Sequence, residues 1–268
     1  MPNRIDQCFA ALRHRNEKAF IAYISAGDPS LSRTVDLALA LEKSGVDILE
    51  LGVPFSDPLA DGVVNQLAGQ RALAAGATVP GVLDCVRQIR RRSQIPIVLY
   101  TYLNPIFQFG FDRFHREADD AGVDGLLLLD LPPEEDQPAE GPFHIRLIAP
   151  TTPPERIAEI CRRAAGFIYY VSREGVTGVQ NSVASSLSER VREIRRSTKL
   201  PVAVGFGIST AEQAREVAQV ADAVVVGSAI VQRISDNAGQ SDLAAQIMKF
   251  VRPVVAAVKS VKPQRAAV

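Results

Sequence analysis

The sequence carries no net charge: 30 basic and 30 acidic side chains balance across 268 residues. That balance removes an overall electrostatic reason to bind nucleic acid or an anionic membrane. Long apolar runs are also missing. Stretches such as Leu126 to Leu129 fall far short of the ~18 residues that a membrane span requires. Arg4 and Asp6 come before any apolar run, so no secretory signal is expected and a cytoplasmic location is. The three cysteines, Cys8, Cys85 and Cys161, are too few and too scattered for a disulfide framework. His14, His115 and His144 are dispersed, none with a second His or Cys at ligand spacing, so no metal site is expected. His14 and His115 fall in helical segments and read as surface residues, and Arg90 to Arg92 read as a solvated helix end. There is no G-x-S-x-G elbow, no Cys–His pairing and no P-loop. No lysine stands at a strand end, which removes the usual site for Schiff-base chemistry.

What is present is 47% apolar residues, enough for a sizeable core, arranged as short apolar runs separated by helical segments. Eight runs read as strands: Phe20 to Ser25, Asp47 to Leu51, Ile97 to Thr101, Gly125 to Leu129, His144 to Ile148, Phe167 to Val171, Val202 to Val204 and Ala223 to Val226. Most are continuously apolar, as strands of a parallel sheet buried on both faces are. Leu31 to Ser44, Asp112 to Ala121, Pro154 to Arg163, Leu187 to Ser197 and Thr210 to Val220 repeat apolar residues at helical spacing. Ser209 and Glu212 have capping-box spacing, and Gly45 and Gly122 stand where left-handed helix ends belong. At about 150 residues per domain the length would allow two domains. Eight β-then-α units without a composition break instead predict one domain over residues 1–268, a closed (β/α)₈ barrel. An extra N-terminal helix should bury Ile5, Cys8, Phe9 and Leu12.

Barrels of this kind place function where strands end and loops begin. Glu50 stands inside the second apolar strand, where desolvation raises a carboxyl pKa and an unpaired charge is costly. Asp57 and Asp61 follow on a loop stiffened by Pro54 and Pro58. Either of them, set beside Glu50, would supply two acids in unlike environments, the requirement for acid–base chemistry near neutral pH. The seventh strand runs into Gly205-Phe206-Gly207 and the eighth into Gly227-Ser228, which opens a short helix. Glycine lets the backbone approach closely and a helix N-terminus favours an anion, so this pair predicts a phosphate cradle. Thr210 occupies the third glycine position, which rules out a dinucleotide fingerprint. After the sixth strand, Ser172 to Val179 and the polar stretch Gln180 to Ser188 suit a loop that closes over a substrate and equally an ordinary surface loop, the preferred reading of this segment taken alone.

The segment Leu49 to Gly62, LELGVPFSDPLADG, closely resembles the signature of the tryptophan synthase α-chain family. AYISAGDP from Ala22, YTYLNP from Tyr100, SREGVTG from Ser172, GFGIS from Gly205 and VVGSAIV from Val225 resemble it in the same order, so the likeness covers essentially the whole chain. It implies a (β/α)₈ barrel, the TIM-barrel fold, that cleaves indole-3-glycerol phosphate to indole and glyceraldehyde 3-phosphate. It implies no cofactor in this chain and a pyridoxal-phosphate-dependent β chain as partner in an α₂β₂ complex. By matching positions, Glu50 is similar to the general acid–base residue and Asp61 to the carboxylate that accepts the indole N–H. Gly178, Gly207, Gly227 and Ser228 fall on phosphate contacts. Tyr23, Tyr102, Asp130, Tyr169, Thr177 and Phe206 fall around the indole pocket or its loops, with Thr177 set to order Asp61. A free-standing lyase and a non-catalytic subunit that activates the β chain are the alternatives. Two departures stand out. Val63-Val64-Asn65 replaces the usual proline and β-branched pair, which would loosen that loop, and Glu134 to Phe143 is short for the fourth outer helix.

Overall fold

The computed structural model describes residues 3–135, 141–172, 180–205 and 207–262. Eight strands, β1 (Ala19–Ser25), β2 (Ile48–Gly52), β3 (Ile97–Thr101), β4 (Gly125–Leu128), β5 (Phe143–Ile148), β6 (Ile168–Val171), β7 (Val202–Gly205) and β8 (Ala223–Val226), coincide with the eight expected runs to within a residue or so. They close a barrel in chain order, every pair parallel, with β8 returning to β1. Around it lie α1 (Arg4–Arg15), α2 (Leu31–Lys43), α3 (Val63–Ala74), α4 (Val79–Arg90), α5 (Leu103–Phe109), α6 (Phe111–Ala121), α7 (Pro154–Arg162), α8 (Gln180–Ser197), α9 (Ala211–Val220), α10 (Ser228–Asp236) and α11 (Leu243–Lys259). This is the (β/α)₈ barrel that the pattern predicts. Among the described residues, no helix is long and apolar enough to cross a membrane.

Strand side chains alternate between two cores. Phe20, Ala22 and Ile24 of β1 and Leu49 and Leu51 of β2 pack outward against the helices. Ile21, Ile48, Val98, Leu127, Ile145, Ala203 and Val225 fill the barrel interior. The interior would be open to water at its N-terminal end. Helix α1 plugs it, with Ile5, Phe9 and Leu12 joining that inner cluster and Cys8 half-buried beside them. Gly125 and Gly166 leave the space that Ile5 occupies, since a Cβ at either would come within 3.3 Å of its side chain.

Three aspartates tie the same end together. Asp47, Asp124 and Asp222 each stand one residue before a strand and accept a backbone N–H from the preceding strand, at Phe20 (2.7 Å), Ile97 (2.8 Å) and Val202 (3.0 Å). Each also holds a basic side chain: Lys259 at 2.6 Å, Arg90 at 2.6 Å and Arg195 at 2.9 Å, respectively. Arg90 is therefore no solvated helix end. Its side chain is only 9% exposed, and it also donates to the carbonyls of Gly122 and Ile95.

Other expectations shift by small amounts that have clear causes. Gly45 and Gly122 follow α2 and α6 with φ of +92° and +90°, as left-handed helix ends require. The capping box lies one residue further on, at Thr210 and Gln213, because the Gln213 amide oxygen reaches the Ser209 and Thr210 amides. His115 is buried rather than on the surface, and its Nε2 lies 3.2 Å from Nε2 of His144 on β5. Its Nδ1 donates to the Phe111 carbonyl, so Nε2 of His115 accepts and His144 donates. Residues 180–188 are the first half of α8, not loop, and residues 173–179 of the expected lid lie outside the described residues. Between β4 and β5 the described residues form a turn at 133–135 and no helix, and residues 136–140 of the stretch expected to be short lie outside the described residues.

Removing Asp124, itself 3% exposed, would strand the Arg90 guanidinium without its counter-charge. Asp124→Ala is expected to lower unfolding stability by about 3 kcal/mol in urea titrations. A loss below about 1 kcal/mol would mean that the pair acts as an ordinary surface bridge.

Candidate active site

Strand alternation fixes the chemistry of the barrel's C-terminal end. On β2, Glu50 follows Ile48 on the inward side, level with Tyr23 of β1 and Val98 of β3. Glu50 is fully buried (0% exposed), and neither of its carboxylate oxygens has a hydrogen-bond partner among the described residues. Among the described residues, then, no basic side chain from a neighbouring strand pairs with it. Burial pushes its pKa up to about 8, and no neighbouring charge offsets that rise among the described residues. Tyr23 and Tyr169 lie close enough that the acids act on them. Both phenols are held well above their ordinary value, first by burial and then by Glu50 and Asp61.

Two glycines make room for these phenols. A Cβ at Gly52, the last residue of β2, would run into the Tyr23 hydroxyl. One at Gly205, the last residue of β7, would meet the Tyr169 hydroxyl at 2.7 Å. Neither glycine has a positive φ, so the reason for glycine is space rather than backbone conformation.

Of the two loop acids, the structure brings Asp61 and not Asp57 into the site. Asp57 is exposed, whereas Asp61 is half-buried and gripped from β3. Tyr102 donates to its Oδ2 at 2.9 Å and Tyr100 to its Oδ1 at 3.3 Å, and the Asn65 side chain adds a further hydrogen bond. Burial raises the Asp61 pKa, while those three donors pull it back. The two acids thus sit in unlike surroundings, one dry and unpartnered, the other hydrogen-bonded. Val63-Val64-Asn65 does not loosen the loop. It forms the first turn of α3, and Gln66 donates to the Asp61 carbonyl at 2.9 Å. Thr177, expected to order Asp61, lies outside the described residues; among the described residues Tyr100 of β3, Tyr102 just past it and Asn65 of α3 are the partners of Asp61. Sequence reading passed over Tyr100 and Asn65; the alternation of Tyr100 and Tyr102 on one strand face was the signal available for the first.

Tyr23, Asp61, Asn65, Tyr100 and Tyr102 share one narrow cleft with Phe55, whose ring stands 5.4 Å from that of Tyr102. Tyr23 and Tyr100 meet edge to face at 5.0 Å. Gly227, one residue past β8, leaves room for Tyr23, since a Cβ there would come within 3.3 Å of the Tyr23 side chain. Ser228 opens α10, whose first helical bonds run from Ile230 and Val231 to the Gly227 carbonyl. The amides of Ser228 and Ala229 therefore precede the helical ladder and point off its N-terminus. Gly207 has φ +65° and open space where a side chain would stand. Asp130 is exposed and caps α5 by accepting the Leu103 N–H at 2.7 Å. Gly178 and Phe206 lie outside the described residues.

The close fit of Tyr23 over Gly52 makes a direct test. Gly52→Ala is expected to cost about 1–3 kcal/mol by overpacking, read by thermal or urea unfolding. That cost should shrink in a Tyr23→Leu background, and an equal cost in both backgrounds would remove the steric explanation.

The family model described as the tryptophan synthase alpha chain matches residues 9–259. The tryptophan synthase alpha chain of Opitutus terrae is 53% identical over 264 residues, covering 96% of this chain and 99% of its own length. That of a Geobacter species is 49% identical over 255 residues, covering 93% and 95%. A crystal structure of the alpha subunit from Legionella pneumophila superposes with a TM-score of 0.88 at 39% identity, over 97% of this chain and 100% of that one. A structure of tryptophan synthase from M. tuberculosis gives 0.85 at 31% identity, over 96% and 99%. A matched model and relatives near half identity, both spanning almost the whole barrel and its acidic loop, settle the kinship: the chain belongs to the tryptophan synthase alpha chain family.

Proposed function

We propose that this chain cleaves indole-3-glycerol phosphate to indole and glyceraldehyde 3-phosphate, with Glu50 as general acid–base and Asp61 as partner of the indole nitrogen. The observation that carries the reading is the state of Glu50: buried, without a hydrogen-bond partner among the described residues, and with a pKa near 8. At neutral pH such a group is mostly protonated, as a proton donor must be. It delivers that proton to the ring carbon that bears the glycerol chain. Positive charge then appears on the ring nitrogen, whose N–H points at the Asp61 carboxylate. Glu50, now ionised, takes the proton from the adjacent glycerol hydroxyl. The carbon–carbon bond breaks, its electrons restore the aromatic ring, and an aldehyde forms on the departing fragment. Glu50 ends as it began. The tyrosines around it keep water away, and Tyr100 and Tyr102 hold Asp61.

The substrate's phosphate would sit against Gly207, Gly227 and Ser228, where free amides and the start of α10 favour an anion. Gly178 and Phe206 belong to the same reading by resemblance, as do Asp130 and Thr177 around the ring. Proton transfer needs no cofactor in this chain, and pyridoxal phosphate would belong to a β-chain partner. Leu59 and Val63 are exposed on either side of Asp61 in the chain, and Leu67 and Phe107 are exposed on α3 and α5, the helices that follow the Asp61 loop and Tyr102. Apolar side chains at that mouth suit a docked protein better than water, which supports a β chain there and an α₂β₂ assembly. A cytoplasmic site of action is part of the same proposal.

Indole release from indole-3-glycerol phosphate, assayed with and without a β subunit, tests the reading. Turnover that rises steeply with β is expected. Equal turnover in both would mean an independent lyase, and none in either a non-catalytic subunit. Glu50→Gln should abolish cleavage while leaving affinity for the substrate within about threefold, because the phosphate grip is elsewhere. In the parent chain kcat/KM should fall as pH rises through about 8, where Glu50 loses the proton that it must donate. Activity that stays level to pH 9 would remove Glu50 as the acid. Ser228→Asp should weaken substrate binding by about tenfold through like-charge repulsion, with unchanged affinity taking Ser228 out of the site.

A further inference from the structure

We infer that Tyr100 and Asn65 are positioning residues for Asp61: together with Tyr102 they fix the plane of its carboxylate. The inference rests on the proposed role of Asp61 and adds two residues that the resemblance leaves without a role.

The geometry begins on β3. Tyr100 and Tyr102 are two residues apart, so both side chains leave the same face of the strand's end. Their hydroxyls reach different oxygens of one carboxylate, Tyr100 at Oδ1 and Tyr102 at Oδ2. A single hydroxyl holds a carboxylate in place but leaves it free to turn about its Cβ–Cγ bond. The second donor fixes the turn. Tyr102 also accepts the Ala60 N–H at 3.0 Å, so its hydroxyl serves the loop backbone as well as the acid. The Tyr100 hydroxyl has its hydrogen bond to Asp61, and its ring is braced edge-on by Tyr23.

Tyr100 grips the loop at its other end too. Its carbonyl accepts the Val53 N–H at 2.9 Å, one residue past β2. The loop that carries Asp61 is thus fastened to β3 where it leaves the barrel and again where it meets α3.

Asn65 approaches from α3. Its side chain hydrogen-bonds Asp61, while its own Oδ1 is buried without a partner. An unmatched buried acceptor is costly. An apolar residue would fill that half-buried place without the cost, so the amide's contribution lies in what its other end does for Asp61. No cation offsets the burial of Asp61 among the described residues. The titratable groups facing it are Tyr23 of β1, Tyr100 and Tyr102 at β3 and Tyr169 of β6, with Glu50 of β2 acting on two of the same tyrosines. Hydrogen bonds from Tyr102, Tyr100 and Asn65 each pull the carboxyl pKa down against the rise that burial causes.

The test is the titration of Asp61 itself, followed by the carboxyl carbon signal in chain labelled at aspartate and assigned by its loss in Asp61→Asn. Tyr100→Phe and Asn65→Leu should each raise the midpoint, by about half a unit to one unit. In the cleavage assay, kcat should fall in both while KM changes little, since neither residue touches the phosphate. An unmoved midpoint in both variants would overturn the inference. Should Asn65→Leu fail to fold, Tyr100→Phe, which removes one oxygen and keeps the ring, decides alone. A parent chain that cleaves nothing would sink the proposed function, and the titration would still say whether these residues control Asp61.

Discussion

A closed barrel has an inside that water cannot reach, and alternation along each strand forces every second side chain into it. In this chain Ile, Val, Leu, Ala and Phe fill the middle and N-terminal part of that interior, with tyrosines and glycines towards its C-terminal end. Glu50 is the exception in β2, and the rest of the site follows from its being there. A carboxyl group with no partner cannot ionise cheaply in that interior, so it holds its proton to about pH 8. The cost falls on the fold. Between the unfolded value near 4.5 and the folded value near 8, the folded state binds the extra proton, so stability declines as pH rises through that window.

The two ends of the barrel divide the work of carrying that cost. At the N-terminal end, α1 seals the interior and three aspartates join neighbouring strands while each binds a basic side chain. At the C-terminal end, tight inward packing gives way to glycine: Gly52 and Gly205 admit two phenols, and Gly227 lets the Tyr23 side chain lie against the backbone. Acids, phenols and free amides can gather there because nothing else stabilising has been asked of those positions. The contrast between Glu50 and Asp61 comes from the same arrangement. One acid projects from a strand into the dry interior, and the other hangs from a loop whose neighbours bring hydroxyl and amide donors.

The fold was legible because parallel barrel strands have a strong local signature. The eight runs were short and most were continuously apolar, and each became a strand within a residue or so of its expected place. Glu50 stood out for the same reason, as one charge in an apolar run. The misread features share a different cause. His115 has the spacing of a surface helix residue, and only the approach of β5 buries it against His144. Arg90 looks like one of three arginines at a helix end until Asp124, more than thirty positions later, comes within 2.6 Å of it. The stretch 180–188 is small and polar, and it is helical because it continues into the apolar pattern of α8.

What the sequence by itself determined is therefore the local physics: which segments are strands, which are helices, that the strands suffice to close, and that one carboxyl is buried. Through the acidic signature it also pointed to the family. What only the tertiary structure decided is which groups meet. Asp61 rather than Asp57 enters the site because Tyr100 of β3 and Tyr102 just past its end reach it. Glu50 stays unpaired because closure brings no basic side chain to it among the described residues. Gly52 and Gly205 matter because the rings of Tyr23 and Tyr169 lean over them. The reason is the same in each case. Periodicity is set by the covalent chain over a few residues, whereas these contacts depend on register and twist summed around eight strands, and no short window of sequence contains them.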